Sequence, residues 1–432
     1  MKKIGFYLFN RDIINVDFRF PLDGNPGVGG SEYLIVLTAR QLSVRDNGLD
    51  VTLYIDKEGI FPDGLKTIQV TGIEDALEKA SDEHFDTFVI DHKRLDWTDN
   101  PFSNVKHGMS VICWCHNFVT PTIAKRMIKS ACVSRVIAVG REQMDLYRDD
   151  RLFLKSDYIY NAVPVKEQYL KEASLIPYQE RPHRIAYLGS LVKDKNFHIL
   201  ASIWPRILDK VPDAELFVIG SGKVYSQNAK LGKYGIADEK YEDMFMPYLT
   251  DKDGNILPSV HFLGAMGDEK YDVLRNIRVG CPNPTGASET FCLSAVEMQA
   301  MGCTVAAMEA PGYYDTFFNG KISKNIDQLV NDIVNLLQHD SPKSYDDTIK
   351  YIQQCFSVEV VMKDWEKLLL EPKGSYLHPI LPLINPCYRL KWLKEWSKKT
   401  REALPVLYAF PNIDRFISLI QRITLKIRKI VK

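Results

Sequence analysis

Short, unbroken apolar runs alternate with segments of helical period along this chain, and they do so twice over. In the first half the runs occupy residues 4–9, 51–55, 87–90, 111–115, 136–139 and 158–160. In the second half they occupy 185–189, 216–220, 260–263, 279–282 and 304–308. A strand that is apolar on both sides must be covered on both sides. Helices between such strands supply that cover, so the pattern predicts parallel sheets in an α/β fold. The intervening helices include 31–44, with Tyr33, Leu34, Leu37 and Leu42 on its apolar positions, and 197–208 and 270–275. Residues 165–183, rich in Glu, Lys, Pro and Tyr, read as a linker. Two doubly wound domains follow, 1–164 and 184–357, then a last helix over 358–371 carrying Val361 and Trp365. In such sheets ligands bind at the carboxyl ends of the strands, which points to the cleft between the domains. Residues 223–258 form a long stretch between two strands, either partly helical over 241–248 or a functional insertion.

Composition narrows the field. Lys+Arg and Asp+Glu both number 55, so no global field draws the chain to nucleic acid. Eight cysteines in 432 residues are too few for a disulfide framework. Cys113-Trp114-Cys115 places two thiols on one face of a strand and has no second pair at zinc spacing, so the cysteines are expected reduced and no metal is expected. The start, Met1-Lys2-Lys3, leads into an apolar run too short for a signal peptide. No run reaches about 18 apolar residues. A cytoplasmic location is expected.

Residues 283–302 carry the chemistry: Asn-Pro-Thr-Gly-Ala-Ser-Glu289-Thr290-Phe291-Cys-Leu-Ser-Ala-Val-Glu297-Met-Gln-Ala-Met-Gly. A strand runs into a small-residue loop, and a helix is expected to open near Thr290. A helix start offers free N–H groups and partial positive charge to a phosphate. If both carboxylates sat on that helix, eight positions would set them roughly 12 Å apart along its axis. That separation suits the two ends of a nucleotide-sugar. Gly27-Val28-Gly29-Gly30-Ser31 lies ahead of the helix at Ser31, a good N-cap; it is either a plain turn or a loop that lets a diphosphate approach the backbone. Its spacing is not that of a dinucleotide dehydrogenase.

Glu289, seven residues, Glu297 and then Met-Gly before an apolar strand resemble the retaining nucleotide-sugar glycosyltransferases of family four, the group 1 glycosyl transferases of the GT-B fold. The resemblance covers about residues 1–370. It implies two Rossmann-like domains around a cleft, and transfer of a sugar from a nucleotide-sugar donor to a glycan or lipid-linked acceptor without a cofactor or metal. It also implies roles. Glu289 would hold sugar hydroxyls and Glu297 the ribose, while the N–H groups of Thr290 and Phe291, with Lys195, would face the diphosphate. Gly29 and Gly30 match the family's first loop. His116, at the end of the strand 111–115, matches a histidine near the transferred sugar; alternatively it is a capping or core histidine. Asn161, in Tyr160-Asn161-Ala162-Val163-Pro164, matches the interdomain hinge. Leu263, in His261-Phe262-Leu263-Gly264, matches the strand end that holds the base. The family's Gly-Arg pair, five residues ahead of its lysine, reads Gly189-Ser190 here, so Ser190 replaces the arginine; Lys193 is the nearby candidate to take its place. This departure keeps open a non-catalytic sugar-binding scaffold, and an epimerase or hydrolase of sugar nucleotides is a further alternative.

Residues 372–432 form a basic tail. Arg389, Lys391, Lys394, Lys398, Lys399 and Arg401 cluster with Trp392 and Trp396. Phe416, Leu419, Ile420, Ile423, Ile427, Ile430 and Val431 then recur at helical spacing among Arg415, Arg422, Lys426, Lys429 and Lys432. Such a helix either lies on an anionic membrane surface at the inner face of the cell membrane or docks on the protein. Surface polysaccharide or glycolipid synthesis is the expected setting.

Overall fold

The computed structural model describes the chain apart from residues 107, 225–228, 288, 384–389 and 431–432, and the side chains of 391, 418, 421–422 and 425–430. Arg389, Val431 and Lys432 therefore lie outside the described residues, as do the side chains of Lys391, Arg422, Lys426, Ile427, Lys429 and Ile430.

The first sheet has seven parallel strands: β1 (Lys2–Leu8), β2 (Leu49–Ile55), β3 (Lys66–Gln69), β4 (Thr87–Asp91), β5 (Ser110–Cys115), β6 (Val133–Ala138) and β7 (Ser156–Tyr158). Their order is β3-β2-β1-β4-β5-β6-β7. The second has six: β8 (Arg184–Leu188), β9 (Glu215–Ile219), β10 (Val260–Gly264), β11 (Val279–Gly280), β12 (Thr304–Met308) and β13 (Gly320–Ser323), in the order β10-β9-β8-β11-β12-β13. Each sheet winds outward from its first strand, then restarts on that strand's other side. The switch points lie between β1 and β4 and between β8 and β11, where crevices open at strand carboxyl ends. This is the two-domain GT-B fold anticipated above.

Several local expectations need correction. Strands β3 and β13 are absent from the apolar pattern because both are edges; β3 reads Lys-Thr-Ile-Gln and is largely exposed. Strand β7 ends at Tyr158 rather than beginning there. Residues 165–183 hold a helix, Glu167–Ser174. The helix at the Gly-rich loop starts at Gly30, so Gly29 and not Ser31 is its N-cap. The helix expected near Thr290 opens at Leu293, after Cys292 in a left-handed conformation (φ 85°). Thr290 and Phe291 cannot join it because the chain at Gly312 packs directly against them; a Cβ there would come within 2.6 Å of Thr290 and Phe291 backbone atoms. Glu289 is therefore a loop residue, and the rise of one helix does not set its distance from Glu297.

Three sets of contacts fix one domain against the other. Helix Val358–Leu370 packs on the first sheet, with Trp365 buried edge-on between Phe6 and Trp114 (ring centroids 6.1 and 4.7 Å). Arg45 pairs with Glu359 at its start (2.6 Å). Asp315, from the second domain, accepts hydrogen bonds from the Glu142 N–H (3.0 Å) and the Tyr160 hydroxyl (2.9 Å) of the first. Lys166, just past the hinge, bridges Asp23 and Asp268 (3.2 and 3.1 Å). The tail forms helices Lys391–Ala403 and Ile413–Ile430, both anchored to the first domain.

Two outcomes follow. Trp365→Ala should cost about 3–5 kcal/mol, the range for truncating a large core aromatic, and lower the thermal midpoint accordingly. Burial, reinforced by repulsion from Glu142, pushes the Asp315 pKa up to about 8. The folded protein then keeps a proton that the unfolded chain releases near pH 4. That contribution is full below pH 4 and is lost as pH rises through about 8. The thermal midpoint should thus fall less steeply between pH 5 and 8 in Asp315→Asn than in the parent; equal slopes would contradict the assignment.

Candidate functional site

The carboxyl ends of both sheets face one another across a cleft of about 750 Å³, within the usual range for small-molecule sites. From the first domain it is lined by the Gly-rich loop, by Asp91, Lys93 and Arg94 after β4, and by His116 and Asn117 after β5. The loop is held by Asn25, whose Oδ1 accepts the N–H groups of Gly27 and Val28 (both 2.9 Å), while Gly27 takes a positive φ of 92°. Gly29 and Gly30 thus present backbone to the cleft. A side chain at Gly30 would crowd Leu293 across it, at 3.2 Å.

The second domain contributes Ser190 and Lys195 after β8, Ala265 and Met266 after β10, and Asn283, Glu289, Thr290, Phe291 and Glu297 after β11. Both glutamates are buried, both line the cleft, and each meets a lysine. Glu289 pairs with Lys195 (2.5 Å) and accepts a hydrogen bond from Asn283 Nδ2 (3.2 Å). Glu297 pairs with Lys270 (2.6 Å) and accepts from the Tyr271 hydroxyl (3.1 Å). These ammoniums offset the cost of burying the carboxylates. They also leave a polar floor at the start of helix Leu293–Ala300, whose first N–H groups belong to Leu293 and Ser294.

The domains meet at the cleft base, where the Thr290 hydroxyl donates to the His116 carbonyl (2.7 Å). The His116 ring is buried against Trp114, and burial pushes its pKa down to about 4, so it is neutral near pH 7. Its Nε2 has no hydrogen-bond partner among the described residues. The same holds for Asn161 Oδ1 and the Ser190 hydroxyl, both buried and both lining the cleft. Three residues that line one cleft thus each carry an unsatisfied polar group, which suits a polar ligand there.

Most of the residues singled out in the sequence therefore come together: Gly29, Gly30, His116, Asn161, Lys195, Glu289, Thr290, Phe291 and Glu297. Leu263 does not. The pairing of β10 with β9 shifts register between Phe262 and Gly264, Leu263 is exposed on this edge strand, and Ala265 and Met266 line the cleft instead. Lys193 is also outside the lining. Sequence reasoning overlooked Lys270, Asp91, Lys93 and Arg94. Lys270 opens a short helix whose pattern shows only its apolar side, and its partner Glu297 is 27 residues away. Arg94, paired with Glu32, follows a strand with no motif around it. The seven described cysteines are free, and no group of three or more potential metal ligands occurs among the described residues.

Known proteins place this geometry. Residues 182–339 match the family described as Glycosyl transferases group 1. No curated protein sequence matches the chain. Among solved structures, HepE from Anabaena in complex with UDP is similar with a TM-score of 0.59, at 14% identity, over 86% of this chain and all of that one. The lipopolysaccharide outer core galactosyltransferase WaaB gives 0.55 at 13% identity, over 86% of this chain and all of WaaB. The catalytic domain of starch synthase IV from Arabidopsis thaliana, bound to ADP and acarbose, gives 0.57 at 11% identity, over 87% of this chain and all of that one. Residues 182–339 thus match the Glycosyl transferases group 1 family, within a chain of GT-B architecture.

Proposed function

We propose that this chain is a retaining glycosyltransferase that moves a hexosyl group from a nucleotide-sugar to a hydroxyl of a glycan or lipid-linked acceptor. The observation that carries the reading is the pair Glu289 and Glu297, buried in one interdomain cleft with a lysine on each and a helix start between them. HepE has also been solved with UDP-glucose, which supports a nucleotide-sugar as the donor class.

In this reading the diphosphate lies between the Gly29-Gly30 backbone and the start of helix Leu293–Ala300. Lys195 leaves Glu289 to meet it, and the unpartnered Ser190 hydroxyl donates to a phosphate oxygen. Ser190 replaces a cation with a neutral donor, so Lys195 carries most of the charge that grows on the leaving group. Glu289, held by Asn283, binds the sugar hydroxyls, and Glu297 the ribose. Neutral His116 offers Nε2 to the transferred sugar or acceptor, and Asn161 shapes the hinge. The bond from the anomeric carbon to the phosphate oxygen breaks as a bond to the acceptor oxygen forms on the same face. The acceptor proton passes to the leaving phosphate oxygen. No protein nucleophile or resident metal enters this scheme, so a chelator should leave the rate unchanged.

A second reading, a non-catalytic sugar-binding subunit, is favoured only by Ser190. Release of nucleotide from UDP-, GDP-, dTDP- or ADP-sugars with an acceptor present separates the two; conversion without any acceptor would point to an epimerase or hydrolase. Glu297→Ala should raise the donor KM tenfold or more, since hydrogen bonds to charged groups carry about 1.5–3 kcal/mol. An unchanged donor KM would contradict the ribose assignment. Lys195→Met should lower kcat by about a hundredfold or more, the scale of losing one donor to a developing charge.

A further inference from the structure

The tail docks the wrong way round for a helix that belongs to a protein core. In helix Lys391–Ala403 the buried positions are Lys394, Ser397 and Arg401, one polar stripe at helical spacing. Lys394 reaches the Leu146 carbonyl (3.1 Å), and the Ser397 hydroxyl donates to Asp149 (3.3 Å). Glu395 pairs with buried Arg148 (2.6 Å). At the next helix the Ile413 N–H donates to Asp149 (2.8 Å), Asn412 to Asp150 (2.9 Å), and Arg415 pairs with Asp150 (3.2 Å). Buried acidic groups of the first domain thus hold the tail by its polar side.

The apolar side is left in solvent. Trp392 and Trp396, one turn apart, are 68% and 61% exposed. Phe416, Leu419, Ile420 and Ile423 share one stripe of helix Ile413–Ile430 and are 56%, 49%, 48% and 49% exposed. Val406 and Phe410 of the connection are exposed as well. So many large apolar side chains exposed on one anchored tail mark a place where something apolar covers them. The charge says what. From Lys373 to the end the chain carries thirteen Lys and Arg against three Asp and Glu, although the whole chain is neutral. Exposed tryptophans and aliphatics on a tail this rich in cations suit the interface of an anionic bilayer. Among the described residues no helix is long and apolar enough to cross a membrane.

We infer that the outward face of helices Lys391–Ala403 and Ile413–Ile430 is a built membrane-docking surface for anionic lipid. Arg415 donates to the Pro121 carbonyl (3.3 Å), four residues beyond Asn117, which lines the cleft. Docking through a tail anchored on the first domain suits an acceptor carried on a lipid. This extension to the acceptor rests on the glycosyl-transfer reading; the docking surface itself does not.

The test uses the full chain with vesicles of phosphatidylcholine alone or with phosphatidylglycerol. The protein should sediment with phosphatidylglycerol vesicles, at least tenfold less with phosphatidylcholine alone, and with a blue shift in tryptophan emission. The variant Trp392→Ser, Trp396→Ser, Phe416→Ser, Ile420→Ser should lose sedimentation by tenfold or more while its thermal midpoint stays within a few degrees of the parent. Sedimentation of the variant equal to the parent's would overturn the proposal. So would a failure of the parent to bind either vesicle, or a concentration-dependent dimer that the four substitutions abolish. Vesicle binding needs no donor, so its loss leaves the transfer reading standing, and absent transfer with intact binding refutes only the latter.

Discussion

Both sheets are wholly parallel, and that constraint governs the rest of the molecule. Every strand of a parallel sheet ends on the same edge, so the loops that follow β1, β4 and β5 gather on one rim, and those after β8, β10 and β11 on another. Each chain reversal at the centre of a sheet opens a crevice on that rim. Helix Val358–Leu370, through Trp365, holds the two rims face to face. The cleft follows from strand direction together with that clasp. His116, Asn161, Ser190, Asn283 and Glu289 stand on loop positions, where backbone and side chain are free to serve a ligand instead of a core.

Within the cleft the chain balances its own charge before any ligand arrives. Two carboxylates buried in a region of low polarity would be costly alone, and each is met by an ammonium from a different segment, Lys195 or Lys270. A dianionic diphosphate would compete for those same cations, releasing carboxylates to hydroxyl groups of sugar and ribose. The groups that remain unsatisfied, His116 Nε2, Asn161 Oδ1 and the Ser190 hydroxyl, are neutral. A neutral donor at 190 costs less to bury than an unpaired arginine would. The missing guanidinium is thus compatible with the buried position of residue 190.

The tail obeys the opposite bookkeeping. Lys394 and Arg401 are buried, and Arg415 pairs with the buried Asp150 of the first domain. Its tryptophans and aliphatics face outward. Amphipathic spacing alone is satisfied equally by a helix packed on a protein and one lying on lipid, and only the direction of docking separates the two.

The α/β class and the parallel strands were legible in the sequence, since a strand covered on both faces must be apolar at every position. So were the residues after β11, because a strand, a small-residue loop and two spaced glutamates are all local in the chain. Other features depend on partners distant in sequence. The start of helix Leu293–Ala300 is decided by Gly312 pressing on Thr290 and Phe291. The edge strands β3 and β13 bury too little to leave an apolar signature. The lysine opposite Glu297, the displacement of Leu263 from the cleft, and the outward turn of Trp392 and Trp396 each arise from packing between segments far apart in the chain. Periodicity records that one side of an element meets an apolar environment; which environment it meets, and which charge stands opposite which, is settled only when the whole chain closes on itself.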